Sequence, residues 1–219
     1  LNFDINITDD GATPGNDNLD TKITQMVFQK GASGNTVADW STVLAGAELS
    51  DGTNSMTGTI GASTITFSAI DVANLGLIAD NASKTYTLKV WLKSDLGGLK
   101  LSIDGQRFVF RIQNTDISVD NTGSGFATGQ DVNSGTSNNT VAVVATVLAF
   151  VQNASNVNKG ASMSPTVTVS ANDANGNRDL GWATPITMTS TGTLTGSPVT
   201  GSLSSGVASF STLTHTVAE

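Results

Sequence analysis

Four aspartates in one short loop are the residues of this chain with the clearest potential for chemistry. The segment DDGATPGNDNLD carries Asp9, Asp10, Asp17 and Asp20. Clustered carboxylates, together with Asn side chains and backbone carbonyls, can supply the roughly six to eight oxygen ligands that Ca²⁺ prefers. The spacing therefore predicts a calcium site in this loop, and the alternative is an acidic turn that faces solvent.

A second candidate calcium loop, DANGNRDLG, places four oxygen-bearing side chains at alternate positions: Asp173, Asn175, Asn177 and Asp179. This alternation is that of the first half of an EF-hand loop. The match is incomplete, because an EF-hand would need glycine in place of Arg178 and glutamate in place of Thr184. An ordinary turn at Asn175-Gly176 between two strands is therefore favoured.

Trp91 is the best candidate for carbohydrate binding. It falls on the outward side of a predicted strand, and an exposed indole can stack on a sugar ring. The alternative, which also applies to Trp40 and Trp182, is that the indole anchors a core or a domain boundary.

Catalysis has little support in the sequence. His215 is the only histidine, and it has no neighbouring aspartate or nucleophile in sequence with which to form a triad. Serine is abundant but never occurs as G-x-S-x-G. We therefore expect that the chain is not an enzyme.

Composition and charge narrow the class of protein further. The net charge is −8 at pH 7 and the ten basic residues are scattered, so we expect no nucleic-acid binding. No apolar run approaches the about 18 residues of a membrane span, so we expect no membrane insertion. An acidic, Asn/Thr-rich chain without cysteine favours the exterior of a bacterial cell. Its start, within the alternating segment LNFDINIT, favours a mature or excised piece of a longer protein.

The elements that would position these residues are short strands. Thr suits strands and Asp, Asn and Gly suit turns, and the good helix formers gather in no long amphipathic run. Alternation is strictest in KTYTLKVWLK, which predicts a half-buried strand with Tyr86, Leu88 and Val90 inward and Trp91 outward. Leu99 to Ile112 alternates on both sides of Asp104-Gly105, which predicts a hairpin.

Two domains are expected. Residues 114–140 resemble a linker in composition, yet apolar residues at strand-like intervals predict closing strands of a first domain: Ile117, Val119, Phe126 and Val132. The segment VAVVATVLAFVQ that follows is apolar at both parities, as expected where one strand ends a domain and the next begins another. We therefore place the boundary near Ala145, with domains 1–145 and 146–219.

Several segments between 147 and 219 carry a family resemblance: LAFVQNAS, the strand at 161–169, DANGN at 173–177, ITMTSTGTLTGSP at 186–198 and GVASFSTL at 206–213. Their order and spacing resemble the bacterial Ig-like repeats of invasin-type adhesins. The whole chain, including DWSTVLAGAELSDGT at 39–53 and YTLKVWLK at 86–93, resembles the repeat regions of very large Bacteroidetes cell-surface proteins exported by the type IX system, gliding adhesins among them.

The resemblance implies an all-β chain of two tandem Ig-like β-sandwich domains. Repeats of this kind continue into a closing strand that is not in this sequence, so the second sandwich is expected to lack it and to expose an edge. The boundary of the piece is one explanation. Addition of a strand by a neighbouring copy or partner is the other.

The function implied by the resemblance is that of structural and adhesive repeat modules of a large secreted or cell-surface bacterial adhesin, acting as a stalk and interaction surface. The expected partners are neighbouring repeats of the same polypeptide, surface glycans or other cell-surface proteins. Two alternatives remain open. One is a carbohydrate-binding accessory module of a secreted enzyme, and the other is a filament or lattice subunit that assembles by strand addition.

Overall fold

A computed structural model describes residues 1–9, 17–136 and 138–217 of the chain. Within these ranges the secondary structure is nearly all β, which confirms the predicted all-β class. One helical turn, α1 (Trp40–Val43), and two 3₁₀ turns, Gly97–Leu101 and Asn114–Asp116, are the exceptions in the described ranges. Asp10 of the acidic loop lies outside the described residues.

The chain forms two compact units. Unit 1 contains residues 1–94 and 106–140, and unit 2 contains residues 95–105 and 141–219. The division into domains 1–145 and 146–219 stays a prediction. The segment 95–105, which the sequence assigned to the first domain, is held in unit 2 by Asp104, whose carboxylate accepts hydrogen bonds from the N–H groups of Val143 (2.9 Å) and Leu180 (2.8 Å).

The predicted hairpin from Leu99 to Ile112 is wrong. Residues Gly97–Leu101 form a 3₁₀ turn, and the N–H of Gly105 donates to the carbonyl of Val141 instead of closing a two-residue turn. The segment after the predicted turn does not pair with the segment before it, because the N–H of Phe108 donates to the carbonyl of Asn139. Of the alternating apolar residues, Ile103 and those from Phe108 to Ile112 are buried, but Leu99 and Leu101 are exposed. The partners of Gly105 and Phe108 lie more than thirty residues away in the chain, where a local pattern does not reach.

The strands of unit 1 follow in chain order: β1 (Asn2–Thr8), β2 (Thr21–Lys30), β3 (Leu44–Ser50), β4 (Ser55–Thr57), β5 (Thr59–Ile60), β6 (Thr64–Ser68), β7 (Leu77–Ile78), β8 (Ser83–Leu92), β9 (Phe110–Gln113), β10 (Ile117–Val119) and β11 (Asp131–Asn133). One antiparallel sheet has the order β1-β8-β3-β4. The other has the order β11-β9-β2-β6-β5, and β7 and β10 also pair with β2.

The core of unit 1 lies between these two sheets. Phe3 of β1 contacts aromatic rings of the opposite sheet, with ring centroids 6.1 Å from Phe28 and 6.4 Å from Phe110. The alternation of β8 is as predicted, with Tyr86, Leu88 and Val90 buried. Alternating strands thus supply apolar faces that cover each other, as expected for two packed sheets.

Unit 2 contains β12 (Val147–Gln152), β13 (Val167–Asn172), β14 (Thr187–Met188), β15 (Val199–Thr200), β16 (Ser202–Ser204) and β17 (Val207–Phe210). The main sheet has the order β12-β13-β17-β16, and β14 pairs with β15. Its core is a cluster of buried residues on β13, β17 and the connecting segments: Met163, Val167, Val169, Ile186, Leu194, Ala208, Phe210 and Leu213. The Ig-like identity of this unit stays a prediction.

Candidate functional site

Unit 1 contains a cavity of about 500 Å³ that opens beside its edge strands. Strand β1 ends one sheet and β11 ends the other, so neither has a strand neighbour on its outer side among the described strands. The apolar side chains of the lining come from both sheets and from the segment that joins β10 to β11: Ile5, Ile7, Ile112, Ile117, Phe126 and Val132. An open sandwich edge therefore forms a cleft, and we call these apolar residues of its lining the apolar floor.

Polar groups line the same cleft. Amide residues occur in the lining at three places and form what we call its amide wall: Asn6 of β1, whose side chain lies on the exposed face of that strand, Gln113 and Asn114 at the end of β9, and Gln130 just before β11. The backbone fixes part of this wall, because the N–H of Asn114 donates to the carbonyl of Gln130 at 3.1 Å. Amides both donate and accept, so this wall can hydrogen-bond a polar ligand of either character.

Asp9 and Asp17 both belong to the cleft lining. Asp9 is buried, and its carboxylate accepts a hydrogen bond from the hydroxyl of Thr21 at 2.8 Å. Asp17 is exposed, and it accepts hydrogen bonds from the N–H of Leu19 (3.0 Å) and the hydroxyl of Ser124 (2.8 Å). Hydrogen bonds from Thr21 and Ser124 thus hold two of the predicted carboxylates in the lining of a single cavity.

The other two predicted ligands of this loop have different positions. The Asp20 carboxylate accepts the N–H of Asp80 at 3.0 Å, and Asp20 does not belong to the cleft lining described here. Asp10 lies outside the described residues. Among the described residues no group of three or more acidic, His or Cys side chains is arranged to hold a metal ion. Calcium binding by this loop stays a prediction.

The second candidate loop forms a closed turn around Asp173. One carboxylate oxygen of Asp173 accepts the N–H groups of Asn175 and Asn177, both at 2.9 Å, and the other accepts the side-chain amide of Asn177 at 2.8 Å. Gly176 takes a φ of +81°, which glycine adopts without strain. The carboxylate of Asp179 bonds outside this turn, where it accepts a hydrogen bond from the N–H of Ala145 at 3.1 Å. These contacts are those of an ordinary turn, and the calcium hypothesis for this loop stays a prediction.

Trp91 faces outward on β8 and 43% of its surface is exposed. Its indole lies over Gly46 of the neighbouring strand, where an added Cβ would come within 2.2 Å of the ring. The glycine therefore lets the ring lie close to the sheet and leaves the outer side of the ring open. Sugar binding by Trp91 stays a prediction.

At least seven of the fifteen aspartates in the described ranges accept a hydrogen bond from the backbone of their own loop. In each of the following the carboxylate of residue i accepts the N–H of residue i+2, as in an Asx turn: Asp17, Asp39, Asp51, Asp71, Asp95, Asp120 and Asp173. Hydrogen bonds of this kind favour the charged form. The side chains of Ser41, Asn74 and Thr122 donate further hydrogen bonds to three of these carboxylates. These side-chain bonds are the largest influences that lower the pKa values of Asp39, Asp71 and Asp120.

The sequence did not point to the amides or to Phe126 as parts of one site. Gln130 and Phe126 lie in residues 114–140, whose composition resembles a linker, while Gln113 precedes that segment, and no motif joins the three. The apolar spacing after residue 114 predicted strands, which β10 and β11 confirm at Ile117, Val119 and Val132, whereas Phe126 lies outside the described strands. The pairing of β9 with both β2 and β11 brings them together.

No family model, curated protein or solved structure matches the chain. In the described part of the chain, no helix has the length and apolar character needed to cross a membrane.

Proposed function

We propose that the chain forms structural and adhesive modules of a large bacterial cell-surface or secreted protein, and that the cleft of unit 1 is an interaction surface. The observation that carries this proposal is the cleft itself, in which Ile112 and Val132 supply an apolar floor and Gln113 and Gln130 supply hydrogen-bonding walls. Open, mostly preformed concavities with a few convergent polar groups are the usual form of binding sites.

The first and last residues of unit 1 favour an interaction role over simple load bearing. The N–H of Asn2 donates to the side-chain carbonyl of Asn139 at 3.0 Å, so the two ends of unit 1 lie side by side. Tension applied between these ends would load this local contact before the β1–β8 ladder, which pairs Asn2 with Lys89 through Thr8 with Ser83. Unit 1 therefore suits a module that projects from the path of the force and presents a surface.

The ligand class follows from the charge of the cleft. Asp9 and Asp17 place negative charge in the lining, and the whole chain carries −8. Phosphorylated or sulfated ligands would be repelled. A neutral ligand with hydroxyl or amide groups, such as an uncharged glycan or an extended peptide, suits the amide wall and the apolar floor.

A panel of immobilised neutral glycans and uncharged peptides tests the proposal. The chain should bind members of the panel, and Val132→Asp should lose that binding, because it places at the floor of the cleft a charge that a bound ligand would cut off from water. Trp91→Ala, which alters the outer face of β8, should retain it. Absence of binding to every member, or binding that survives Val132→Asp, would contradict an interaction role for the cleft.

A second candidate function is that of a carbohydrate-binding accessory module, in which Trp91 is the platform. The ring packed over Gly46 with its outer side open favours this candidate. The same two variants separate the candidates, since here Trp91→Ala abolishes glycan binding and Val132→Asp does not.

A further inference from the structure

Strand β12 exposes apolar side chains along its length. It ends the main sheet of unit 2, and among the described strands it pairs with β13 alone. Val147, Leu148, Phe150 and Val151 are each at least half exposed. Natural edge strands are usually protected by Lys or Pro or by a covering segment, and VLAFVQ contains neither Lys nor Pro.

Two of these side chains lie on the core face of the sheet. Leu148 pairs with Ala171 and Phe150 pairs with Val169, so each shares the face of a buried partner. The core cluster covers that face over β13 and β17. Its cover does not reach β12, where Leu148 is 53% and Phe150 58% exposed. The apolar face of the sheet therefore continues, uncovered, to an open edge.

We propose that a second copy of this chain pairs with β12, antiparallel and strand to strand, with Ala149 on the two-fold axis. The segment Val147-Leu148-Ala149-Phe150-Val151 has the same pattern of residue sizes when read in either direction. In an isologous contact each residue meets its counterpart by symmetry, so a segment of this kind is complementary to itself.

The register follows from the pattern. With Ala149 opposite Ala149 of the second copy, Leu148 of each copy lies opposite Phe150 of the other copy. The core face therefore gains two Leu–Phe pairs. The small side chain of Ala149 lets the two backbones approach closely. The uncovered core faces of the two β12 strands then join into one continuous apolar face. These pairs precede the register shift between Phe150 and Gln152, so they use the regular part of the strand.

Charge does not prevent a second copy from binding at this strand. The chain carries −8, which makes two copies repel each other in general. No charged residue occurs between Asp131 and Lys159, so the strip itself brings no like charges together. A contact of one short strand buries less than the about 1,200 Å² of a stable interface, so we expect weak association, with a dissociation constant on the order of 100 µM. This inference goes beyond the proposed function and does not depend on the cleft.

Cysteine cross-linking tests the register, since the natural chain has no cysteine. Directly opposed residues of antiparallel strands have Cα atoms about 4.5–5.5 Å apart, within the range of a disulfide. Ala149→Cys should therefore form a disulfide-linked dimer under mild oxidation at least about tenfold faster than Leu148→Cys, whose counterpart lies two residues out of line. Equal rates for the two variants would overturn the proposal.

Charge substitution tests the contact by sedimentation over a range of concentrations. Ala149→Lys should abolish dimers because it places two lysines directly opposite each other, and Ala149→Glu should do the same. A mixture of the two folded variants should associate again. Leu101→Lys, an exposed apolar residue of unit 2 outside β12, is the matched control and should dimerise like the natural chain. A natural chain that stays monomeric at 1 mM, about ten times the expected dissociation constant, or an Ala149→Lys variant that still dimerises, would overturn the proposal.

Discussion

Replacement of Asp51 by asparagine should destabilise unit 1 at neutral pH and have little effect in acid. Asp51 follows β3, and its side chain is only 6% exposed. It accepts hydrogen bonds from the N–H groups of Thr53 (3.0 Å) and Asn54 (2.7 Å) and forms an ion pair of 3.1 Å with Lys84. Burial alone would raise the pKa of this carboxyl, but the bonds from Asn54, Thr53 and Lys84 outweigh it and lower the pKa to about 2.

The expected loss of unfolding free energy follows from the linkage between folding and the protonation of Asp51. The pKa falls from 3.8 to about 2 on folding, and each unit corresponds to about 1.4 kcal/mol, so ionised Asp51 contributes about 2 kcal/mol. Because the folded pKa is the lower one, this stability is fully present above about pH 5 and is lost as the pH falls through 4 towards 2. An asparagine side chain cannot ionise, so Asp51→Asn should lower the free energy of unfolding by about 2 kcal/mol at pH 7, and the melting temperature by about 6 °C.

Unfolding can be followed in a Trp182→Phe background, in which the remaining indoles, Trp40 and Trp91, both belong to unit 1. Asp4→Asn is the matched control, since it removes the same charge from an exposed carboxylate bonded to Thr87. At pH 2 the deficit of the Asp51 variant should shrink to less than about 0.5 kcal/mol. A variant as stable as its parent at pH 7, or a deficit that is unchanged at pH 2, would refute the linkage.

Two further predictions concern unit 2 and the acidic loop. Gly206→Ala should destabilise unit 2 by at least about 2 kcal/mol in a denaturant titration, because at a φ of +73° an added Cβ would lie 2.1 Å from the carbonyl oxygen of Asp179. Gly160 has a φ of +78° and open space around it, so Gly160→Ala is the control and should destabilise the unit clearly less in the same titration. Calcium bound beside Asp9 and Asp17 would raise the melting temperature of unit 1 in millimolar Ca²⁺, reversibly with chelator and not in Asp17→Asn. Melting that is insensitive to Ca²⁺ would remove the calcium hypothesis for this loop.

Several features of the fold were predictable because they depend on local chemistry. Alternation places the buried residues of β8 and the outward position of Trp91 correctly, since successive side chains of a strand point to opposite faces. The excess of Asp over Glu predicts turns, and the Asx turns at Asp39, Asp71 and Asp120 agree, because the short Asp side chain reaches the N–H two residues ahead.

Other features depend on contacts between segments that are distant in the chain, and only the tertiary structure decided them. The alternation around Asp104 fits a hairpin, yet its carboxylate binds the N–H of Leu180, 76 residues away. The cleft has the same origin, since Ser124 reaches Asp17 over 107 residues. By itself the sequence determined the two faces of strands such as β8 and the places where Asp and Gly turn the chain, because alternation and turn chemistry are short-range patterns. Which strands would meet, and therefore which polar groups would share a cleft or leave an apolar edge open, depends on pairing that no local pattern encodes.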